Sequence, residues 1–282
     1  MKLRVMLVLR LVLVQVGFAA LMMCAAGLGS MHLRSEQIAF QSNRAGSEDI
    51  YLADTRTSTL INLTRSRAGN HTSPSWSPDG AFIAYEYAQQ GTYAVSGIEI
   101  MRYDGHEPQR VYDGTASEPR WSPDGTQLTF RTADALHITI VSSKRTRTLS
   151  PDEFLDFNDY LLRQLLITHQ VAVLPTRIGS IIDAQWSPGR QWITFTEWDG
   201  LMTHAYVMET ACLPDCKDAA ERFPHTESTR SVMLSANGQQ IVFECRIGGY
   251  NGICVMQRDG TGLRQVVTSS PGTREISPVW RP

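Results

Sequence analysis

The chain carries almost no net charge. Its 282 residues include 26 Lys and Arg against 28 Asp and Glu, which gives a formal net charge of −2. Blocks of basic residues and acidic tails are also missing. Because nucleic-acid-binding domains usually carry a strongly basic patch, this composition argues against a nucleic-acid partner.

The sequence also lacks familiar catalytic motifs. It contains no Gly-x-Ser-x-Gly nucleophile motif, no His-Glu-x-x-His metal motif and no glycine-rich phosphate loop. The seven histidines are scattered, and His71, His106 and His225 fall in predicted loops, where we expect solvated side chains. The sequence therefore predicts a protein that is not an enzyme, with no catalytic residue, cofactor or metal site.

Cysteine is scarce and unevenly placed. Apart from Cys24, all four cysteines lie in the last third of the chain, and an even count in an exported domain suggests disulfides. We favour Cys245–Cys254, since the two residues lie on consecutive predicted strands joined by a Gly-rich turn. Cys212–Cys216 would then close a tight loop. The alternative is a four-cysteine zinc site, but the C-x3-C and C-x8-C spacings differ from the paired C-x2-C that such sites prefer.

The N-terminal 30 residues are predicted to lie outside the folded body. A positively charged start, Met1-Lys2-Leu3-Arg4, precedes a mostly apolar run over residues 5–28. This pattern is typical of a signal peptide or a retained membrane anchor, and the run is long enough to span a bilayer. We therefore expect export to the periplasm or the extracellular space, with membrane contact through residues 5–28 if the segment is not cleaved.

A short motif, Trp-Ser-Pro-Asp-Gly, recurs along the rest of the chain. Proline followed by Asp-Gly favours a tight turn, in which Gly adopts the positive φ that other residues resist. We interpret the motif as a structural corner whose Trp fills the space between repeats. Residues 76–80 and 121–125 are complete copies, and 186–190, 234–238 and 278–282 are degenerate ones. Its defining positions are Trp76, Pro78, Asp79, Gly80, Trp121, Pro123, Asp124, Gly125, Trp186, Pro188 and Trp280.

The spacing of the copies predicts an all-β fold, a β-propeller. The Trp positions of successive copies, with Leu234 in the fourth, lie 45, 65, 48 and 46 residues apart, and each interval holds the four strands of one blade, typically about 40–50 residues. We predict five blades over residues 31–282, with six as the alternative. The predicted strand Glu36–Phe40 would pair with Ile276–Trp280 and close the ring, which leaves no exposed sheet edge there.

The 65-residue interval contains an insertion at about residues 150–179. Ser150-Pro151-Asp152-Glu153 has the composition of a helix N-terminus, and a broad apolar face follows it. We predict a helix from about Pro151 to His169. It is expected to pack against the propeller, and the alternatives are a partner-binding helix or a contact with a membrane surface.

These motifs resemble a known repeat. Trp-Ser-Pro-Asp-Gly, a following strand of the Ile-x-Phe or Ile-x-Tyr type and Leu63-Thr64 before the next loop are similar to the TolB-type β-propeller repeat, a WD-like repeat. The resemblance covers residues 36–282. It implies the propeller fold, and the group includes periplasmic scaffold proteins as well as propeller domains of dipeptidyl-peptidase-like serine hydrolases.

Two functions follow as hypotheses. The first is a non-catalytic exported scaffold that binds a protein or peptide through its loop faces and the helix near Pro151–His169. The second is a carbohydrate-active enzyme, a glycosidase or lyase, that would use carboxylates converging on the central channel. Several of the candidate carboxylates alternate with apolar residues on predicted strands, which indicates solvent-facing positions. These candidates are Glu48, Asp49, Glu99, Glu197, Asp199 and Glu244.

Overall fold

The computed structural model describes residues 36–89, 95–148, 180–188, 191–212, 220–226, 229 and 231–282. Over these residues the fold is an all-β, five-bladed propeller of four-stranded antiparallel sheets. The predictions of the fold class and of five rather than six blades are confirmed. A single 3₁₀ turn at Thr210–Cys212 is the one helical element of the described residues.

The strands follow the chain blade by blade. The first blade has β1 (Gln37–Ser42), β2 (Asp49–Asp54) and β3 (Leu60–Asn62), and the second has β4 (Asn70–Trp76), β5 (Phe82–Gln89), β6 (Val95–Arg102) and β7 (Gln109–Asp113). The third has β8 (Ser117–Trp121), β9 (Gln127–Arg131), β10 (Leu136–Ile140) and β11 (Arg145–Thr148). The fourth has β12 (Ser180–Trp186), β13 (Trp192–Trp198), β14 (Thr203–Glu209) and β15 (Glu221–Arg222). The fifth has β16 (Val232–Leu234), β17 (Gln240–Ile247), β18 (Tyr250–Gln257) and β19 (Arg264–Thr268), and β20 (Glu275–Trp280) returns to the first blade.

The ring closes as the sequence predicts. Strand β20 pairs antiparallel with β1, with Ile38 opposite Trp280 and Ser42 opposite Glu275. The last strand of the chain therefore becomes the innermost strand of the first blade. The first and last strands of the propeller are thus held in one sheet.

The repeated motif forms the turn between the first two strands of a blade. The Ser77 hydroxyl donates to Asp79 at 2.6 Å and accepts the N–H of Phe82 at 2.9 Å. Asp79 also accepts the N–H of Ala81, and Gly80 has a φ of +65°. These bonds satisfy the backbone of the turn from within, so Ser77 and Asp79 stabilise the turn.

Three tryptophans of the motif each tie their blade to the one before it. The indole N–H groups of Trp76 and Trp121 donate to the backbone carbonyls of Val279 and Ser75, at 3.2 and 3.1 Å. Trp280 donates in the same way to Met233 at 3.1 Å. Each acceptor lies directly before the motif position of the preceding blade, so the bonds follow one another around the axis.

The apolar cores lie between neighbouring blades. The core between the first and second blades contains Ile50, Leu52, Ile83, Tyr85 and Met101, all buried. Comparable clusters join the second blade to the third, the fourth to the fifth and the fifth to the first. Burial of β-branched and aromatic side chains at these contacts is the main source of stability for a ring of short strands.

The structure joins Cys245 to Cys254 by a disulfide, the pair that the sequence analysis favours. The bond links β17 and β18 near the Ile247–Tyr250 hairpin turn. Cys216 lies outside the described residues, so the second predicted pair stays a prediction.

The two ends of the propeller differ in their loops. The end that carries the repeated motif is called the motif face, and the opposite end, with the turns between the second and third strands of each blade, is called the hairpin face. Strand β1 starts at the motif face, where Gln37 accepts the N–H of Arg281. The insertion enters after Thr148 and leaves at Ser180, both at the hairpin face.

Two predicted segments lie outside the described residues. They are the N-terminal signal or anchor, residues 1–30, and the helix Pro151–His169. Within the part of the chain that is described, no helix is long and apolar enough to cross a bilayer.

Candidate binding site at the mouth of the channel

A cavity of about 310 Å³ opens on the axis of the propeller at the motif face. All five blades contribute to its wall, because the innermost strands converge there. Its surface is dominated by tryptophan and proline rings. The lining residues are Pro74, Ser75, Trp76, Pro78, Arg120, Trp121, Ser122, Pro123, Gln185, Trp186, Ser187, Pro188, Met233, Val279, Trp280 and Pro282.

One layer of this wall contains, from every blade, the residue directly before the first residue of the motif, which is Trp in four blades and Leu234 in the fifth. These five residues are chemically unlike one another, although their positions are equivalent in the repeat. Only one of them is charged. They are Ser75, Arg120, Gln185, Met233 and Val279.

A local backbone conformation, a residue of positive φ before a proline, positions this layer in three of the blades. Ser73, Glu118 and Ser277 have positive φ values of 54°, 55° and 54°, and each is followed by proline. A register shift accompanies all three, between Thr72 and Ser75, between Ser117 and Arg120, and between Ile276 and Val279. The bulge re-aims the following residues, which places Ser75 and Arg120 at the cavity.

The strained residues are held from the neighbouring blade. The N–H of Ser73 donates to Gln41 at 3.3 Å, and the N–H of Glu118 donates to Glu86 at 2.9 Å. Ser277 donates in the same way to Glu244 at 3.1 Å. Since a side chain of the second strand of one blade thus satisfies the bulge of the next, the cavity wall is fixed by contacts between blades.

The polar groups of the wall are held by neighbouring groups. Gln185 donates to Asp183 at 3.0 Å and to Ser231 at 2.8 Å. Arg120 donates to the carbonyl of Pro119 at 3.1 Å and is the one charged side chain of the described lining. None of the described lining residues is Asp, Glu, His or Cys, so this wall offers no general acid, base or thiol nucleophile. It can offer apolar rings, hydrogen bonds and a cation.

Arg281 fixes the rim of the cavity, and no pattern in the sequence singles it out. Its guanidinium lies over the rings of Tyr103 and Trp76, with centroid distances of 4.0 and 5.2 Å. It also donates to the carbonyl of Gly80 at 2.9 Å. Cation–π contacts of this kind hold a buried arginine in place, and here they brace the motif turn of the second blade.

The six candidate carboxylates do not converge on the channel, because none of them lies on an innermost strand. Glu99 lies on the third strand of its blade, where it pairs with Arg67 at 2.5 Å and accepts the Tyr85 hydroxyl at 2.9 Å. Glu48 pairs with Arg274, and Glu244 holds the Ser277 amide. These carboxylates therefore have structural roles, because they link neighbouring strands and blades.

The expectation of solvent-facing carboxylates is wrong for three of the six. Asp49, Glu99 and Glu197 are buried. Burial raises the pKa of Glu197, and its Oε1 has no hydrogen-bond partner. Asp199, by contrast, accepts the N–H groups of Met202 and Leu201, which lower its pKa to about 2. Alternation along a strand failed as a guide because both faces of a propeller blade pack against neighbours.

The innermost strands carry other carboxylates that the sequence analysis did not select. Glu118, Asp183 and Glu275 lie toward the hairpin-face end of these strands, away from the cavity lining. Glu275 is buried against Arg44 at 2.7 Å, and burial raises the pKa of this carboxyl. Among the described residues, no group of His, Cys, Asp and Glu could hold a metal ion.

His71 also departs from expectation. It lies on β4 and is completely buried, not in a solvated loop. Its ring contacts Tyr85 and Tyr87, and its Nδ1 lies 3.6 Å from the Asp49 carboxylate. His106 and His225 are exposed, as expected.

Comparison with known proteins agrees with the repeat. Residues 32–156 match the family described as the TolB β-propeller domain. Together with the five-bladed topology, this match agrees with the resemblance of the repeat to the TolB-type β-propeller repeat, and it covers less than half of the chain. No curated protein matches the sequence.

Several solved structures are similar to the chain. TolB from Acinetobacter baumannii is 16% identical with a TM-score of 0.44, and the match covers 84% of this chain and 54% of that one. This chain thus spans about half the length of that protein. An oligogalacturonate lyase from Vibrio parahaemolyticus is 11% identical with a TM-score of 0.47, over 83% of this chain and 75% of that one. At these identities no activity is transferred from either protein.

Proposed function

We propose that this chain is a non-catalytic, exported β-propeller that binds a protein or peptide at the channel mouth on its motif face. The observation that carries the proposal is the composition of the cavity wall. Four tryptophans, five prolines and Arg120 surround the axis, and no described lining residue can act as a general acid or base.

The wall suits an extended peptide segment. Aromatic-lined grooves are a common docking surface for extended and polyproline-type peptides, whose backbone carbonyls accept hydrogen bonds while their side chains pack on rings. A cavity of about 310 Å³ is at the small end of the range for ligand sites, so it would take one or two side chains of such a segment. The rest of the partner would lie on the surrounding loops.

The rigidity of the wall supports binding with little ordering of the protein. The lining tryptophans are fixed by hydrogen bonds to neighbouring blades, as described for Trp76, Trp121 and Trp280. A preorganised surface loses less conformational entropy when a partner binds. Export is supported by the N-terminal charge and hydropathy pattern and by the TolB-type repeat.

The enzyme alternative requires paired carboxylates on a shared space. Glycosidases place two carboxyl groups roughly 5–10 Å apart across the scissile bond. The six carboxylates selected from the sequence lie on second and third strands or their turns. This distribution favours the binding proposal.

A displayed peptide library tests the proposal on the full chain. Random 12-residue peptides displayed on phage are selected for binding to the purified protein and, in parallel, to Met233→Arg. This substitution fills the cavity with a charged side chain. Arg145→Ala, on the outermost strand of the third blade, is the matched control. We expect enriched peptides that bind the parent and the control at least tenfold more tightly than Met233→Arg.

Two results would contradict the proposal. One is a set of enriched peptides whose binding is unaffected by Met233→Arg. The other is turnover of an oligosaccharide by the parent protein that is abolished by Glu118→Gln or Asp183→Asn, two of the carboxylates on innermost strands.

A further inference from the structure

The hairpin face carries an exposed apolar surface on two neighbouring blades. In the fourth blade, Trp198, Leu201 and Met202 are 46%, 90% and 40% exposed at the turn between β13 and β14. In the fifth blade, Ile247 and Tyr250 are 43% and 50% exposed at the turn between β17 and β18. These five residues are called the hairpin patch. A concentration of large apolar side chains of this kind marks a contact surface.

Hydrogen bonds and a disulfide stabilise the two hairpins that carry the hairpin patch. Thr229 bridges the two hairpins, because its carbonyl accepts the Thr203 hydroxyl at 2.5 Å and its own hydroxyl donates to the Glu244 carbonyl at 2.8 Å. Asp199 caps the first turn by accepting the N–H groups of Leu201 and Met202 at 2.8 and 2.9 Å. The disulfide Cys245–Cys254 staples the second hairpin. The exposed side chains therefore stand on an ordered support.

The chain itself leads to this patch. The insertion leaves the third blade at Thr148, which pairs with His137, and re-enters the fourth blade at Ser180. Ser180 pairs directly with Trp198, the first residue of the hairpin patch. Both attachment points are at the hairpin face, so residues 149–179 connect two points at that end of the propeller.

The inserted segment has the composition to cover such a surface. Seven large apolar residues fall on one broad face at helical spacing. They are Phe154, Leu155, Phe157, Leu161, Leu162, Leu165 and Leu166. Residues 151–169 as a helix would be about 28 Å long, and the ten residues that follow could extend over roughly 33 Å. These lengths suffice to reach both hairpins.

The acidic start of the segment and one arginine at the edge of the hairpin patch carry opposite charges. The first half of the segment carries Asp152, Glu153, Asp156 and Asp159. Arg246, beside Ile247, is exposed at the edge of the hairpin patch. An acidic helix start next to this arginine would be weakly favourable, and it favours one of the two directions in which the helix could lie.

We propose that residues 151–169 dock on the hairpin patch as an amphipathic helix, with their apolar face against Trp198, Leu201 and Tyr250. The fourth and fifth blades then have a covered hairpin face. The cavity at the motif face is on the other end of the propeller, so this docking stands apart from the proposed function and does not depend on it.

Hydrogen exchange measured by mass spectrometry on the full chain tests the proposal. In the parent protein we expect the amides of residues 151–169 to exchange at least tenfold more slowly than unstructured amides. Leu201→Lys places a charge under the helix and should speed exchange of that segment about tenfold or more. Because Leu201 is 90% exposed, the substitution leaves the blade itself intact, and unchanged protection of β13 and β14 verifies this.

Leu263→Lys is the matched control. Leu263 is 43% exposed but lies at the motif face, between β18 and β19. It should leave exchange of residues 151–169 unchanged. Exchange of the segment at the unstructured rate in the parent protein, or protection that survives Leu201→Lys, would overturn the proposal.

Light scattering separates docking within one chain from contact with a second copy. We expect a monomer whose mass does not change with Leu201→Lys. A dimer in the parent protein that dissociates in Leu201→Lys, with loss of protection in the same variant, would assign the hairpin patch to a second copy and would also overturn the proposal.

Discussion

His71 is the most completely buried histidine among the described residues. It has no exposed surface, and neither ring nitrogen has a hydrogen-bond partner. Burial, followed by the nearby Arg67 guanidinium, lowers the pKa of this histidine, and Asp49 and Glu99 oppose the change. The residue therefore links folding to pH.

The sign of this effect follows from proton binding. Unfolded His71 binds a proton at a pH of about 6.5, whereas folded His71 stays neutral to a lower pH. The unfolded state thus binds more protons below about pH 6.5, and stability falls as the pH decreases through that range. The contribution is at most about 1.4 kcal/mol per pH unit for one proton.

We expect His71→Gln to flatten the pH dependence of stability between about pH 6.5 and 5. Urea denaturation at several pH values measures it, and His106→Gln, at an exposed position, is the control. An equal slope in the parent and His71→Gln would show that other groups set the acid sensitivity.

The effect of substitutions in the motif turn can be predicted by comparison of two blades. In the fifth blade Asn237 stands where the two complete copies have Asp, and it accepts the Ser235 hydroxyl at 2.8 Å and the Gln239 N–H at 3.1 Å. Asp79 makes the same two contacts through one oxygen. We therefore expect Asp79→Asn to be nearly neutral and Asp79→Ala to lower the free energy of unfolding by about 1 kcal/mol. Equal losses in thermal unfolding would mean that charge, not the acceptor, matters.

At the scale of elements, the contacts between blades matter as much as the strands. Glu86, on the second strand of its blade, accepts the N–H of Glu118 from the next blade and the hydroxyl of Thr72 at 3.0 Å. The bond from Glu118 gives a hydrogen-bond acceptor to an amide whose residue has a strained conformation.

Removal of this acceptor should loosen two blades together. We expect Glu86→Ala to lower the free energy of unfolding by about 1–2 kcal/mol, and Glu86→Gln, which keeps an acceptor, to lower it by less. Hydrogen exchange should rise at β8 in Glu86→Ala. A loss confined to β5 would argue against the link between blades.

The elements were predictable where the sequence repeats and unpredictable where it does not. Proline and glycine in the motif determine a turn, so the strands on either side of it could be assigned. His71 was misplaced because the polar stretch before Pro74 reads as a loop, although β4 already begins at Asn70. The buried Glu99 and Glu197 were misplaced because alternation along a strand does not distinguish a contact between blades from solvent.

At the scale of the whole molecule, the five-bladed ring was predictable and the cavity was not. The count of motif copies gives the blades, and the phase of the first and last strands gives the closure. The layer of Ser75, Arg120, Gln185, Met233 and Val279 shares a position but no chemistry. Only the closed ring brings these side chains together, so no local pattern could indicate them.

The closure of the ring depends on Trp280 more than on any other side chain of β20. Its ring is 1% exposed, packs in the core between the fifth and first blades, and donates to the Met233 carbonyl. Truncation of a buried tryptophan typically costs about 3–5 kcal/mol. Here the loss falls on the strand that joins both ends of the ring, so Trp280→Ala should expose β1 and β20 to hydrogen exchange well before the third blade.

Trp280→Phe separates the two contributions of this residue. Phenylalanine keeps much of the apolar contact but cannot donate to Met233, so we expect a smaller loss of stability and closure that is still intact. If Trp280→Ala instead raised exchange equally in all five blades, the ring would unfold as one cooperative unit. The pairing of β20 with β1 would then be no weaker than the contacts between any two blades, because breaking it would release them all together.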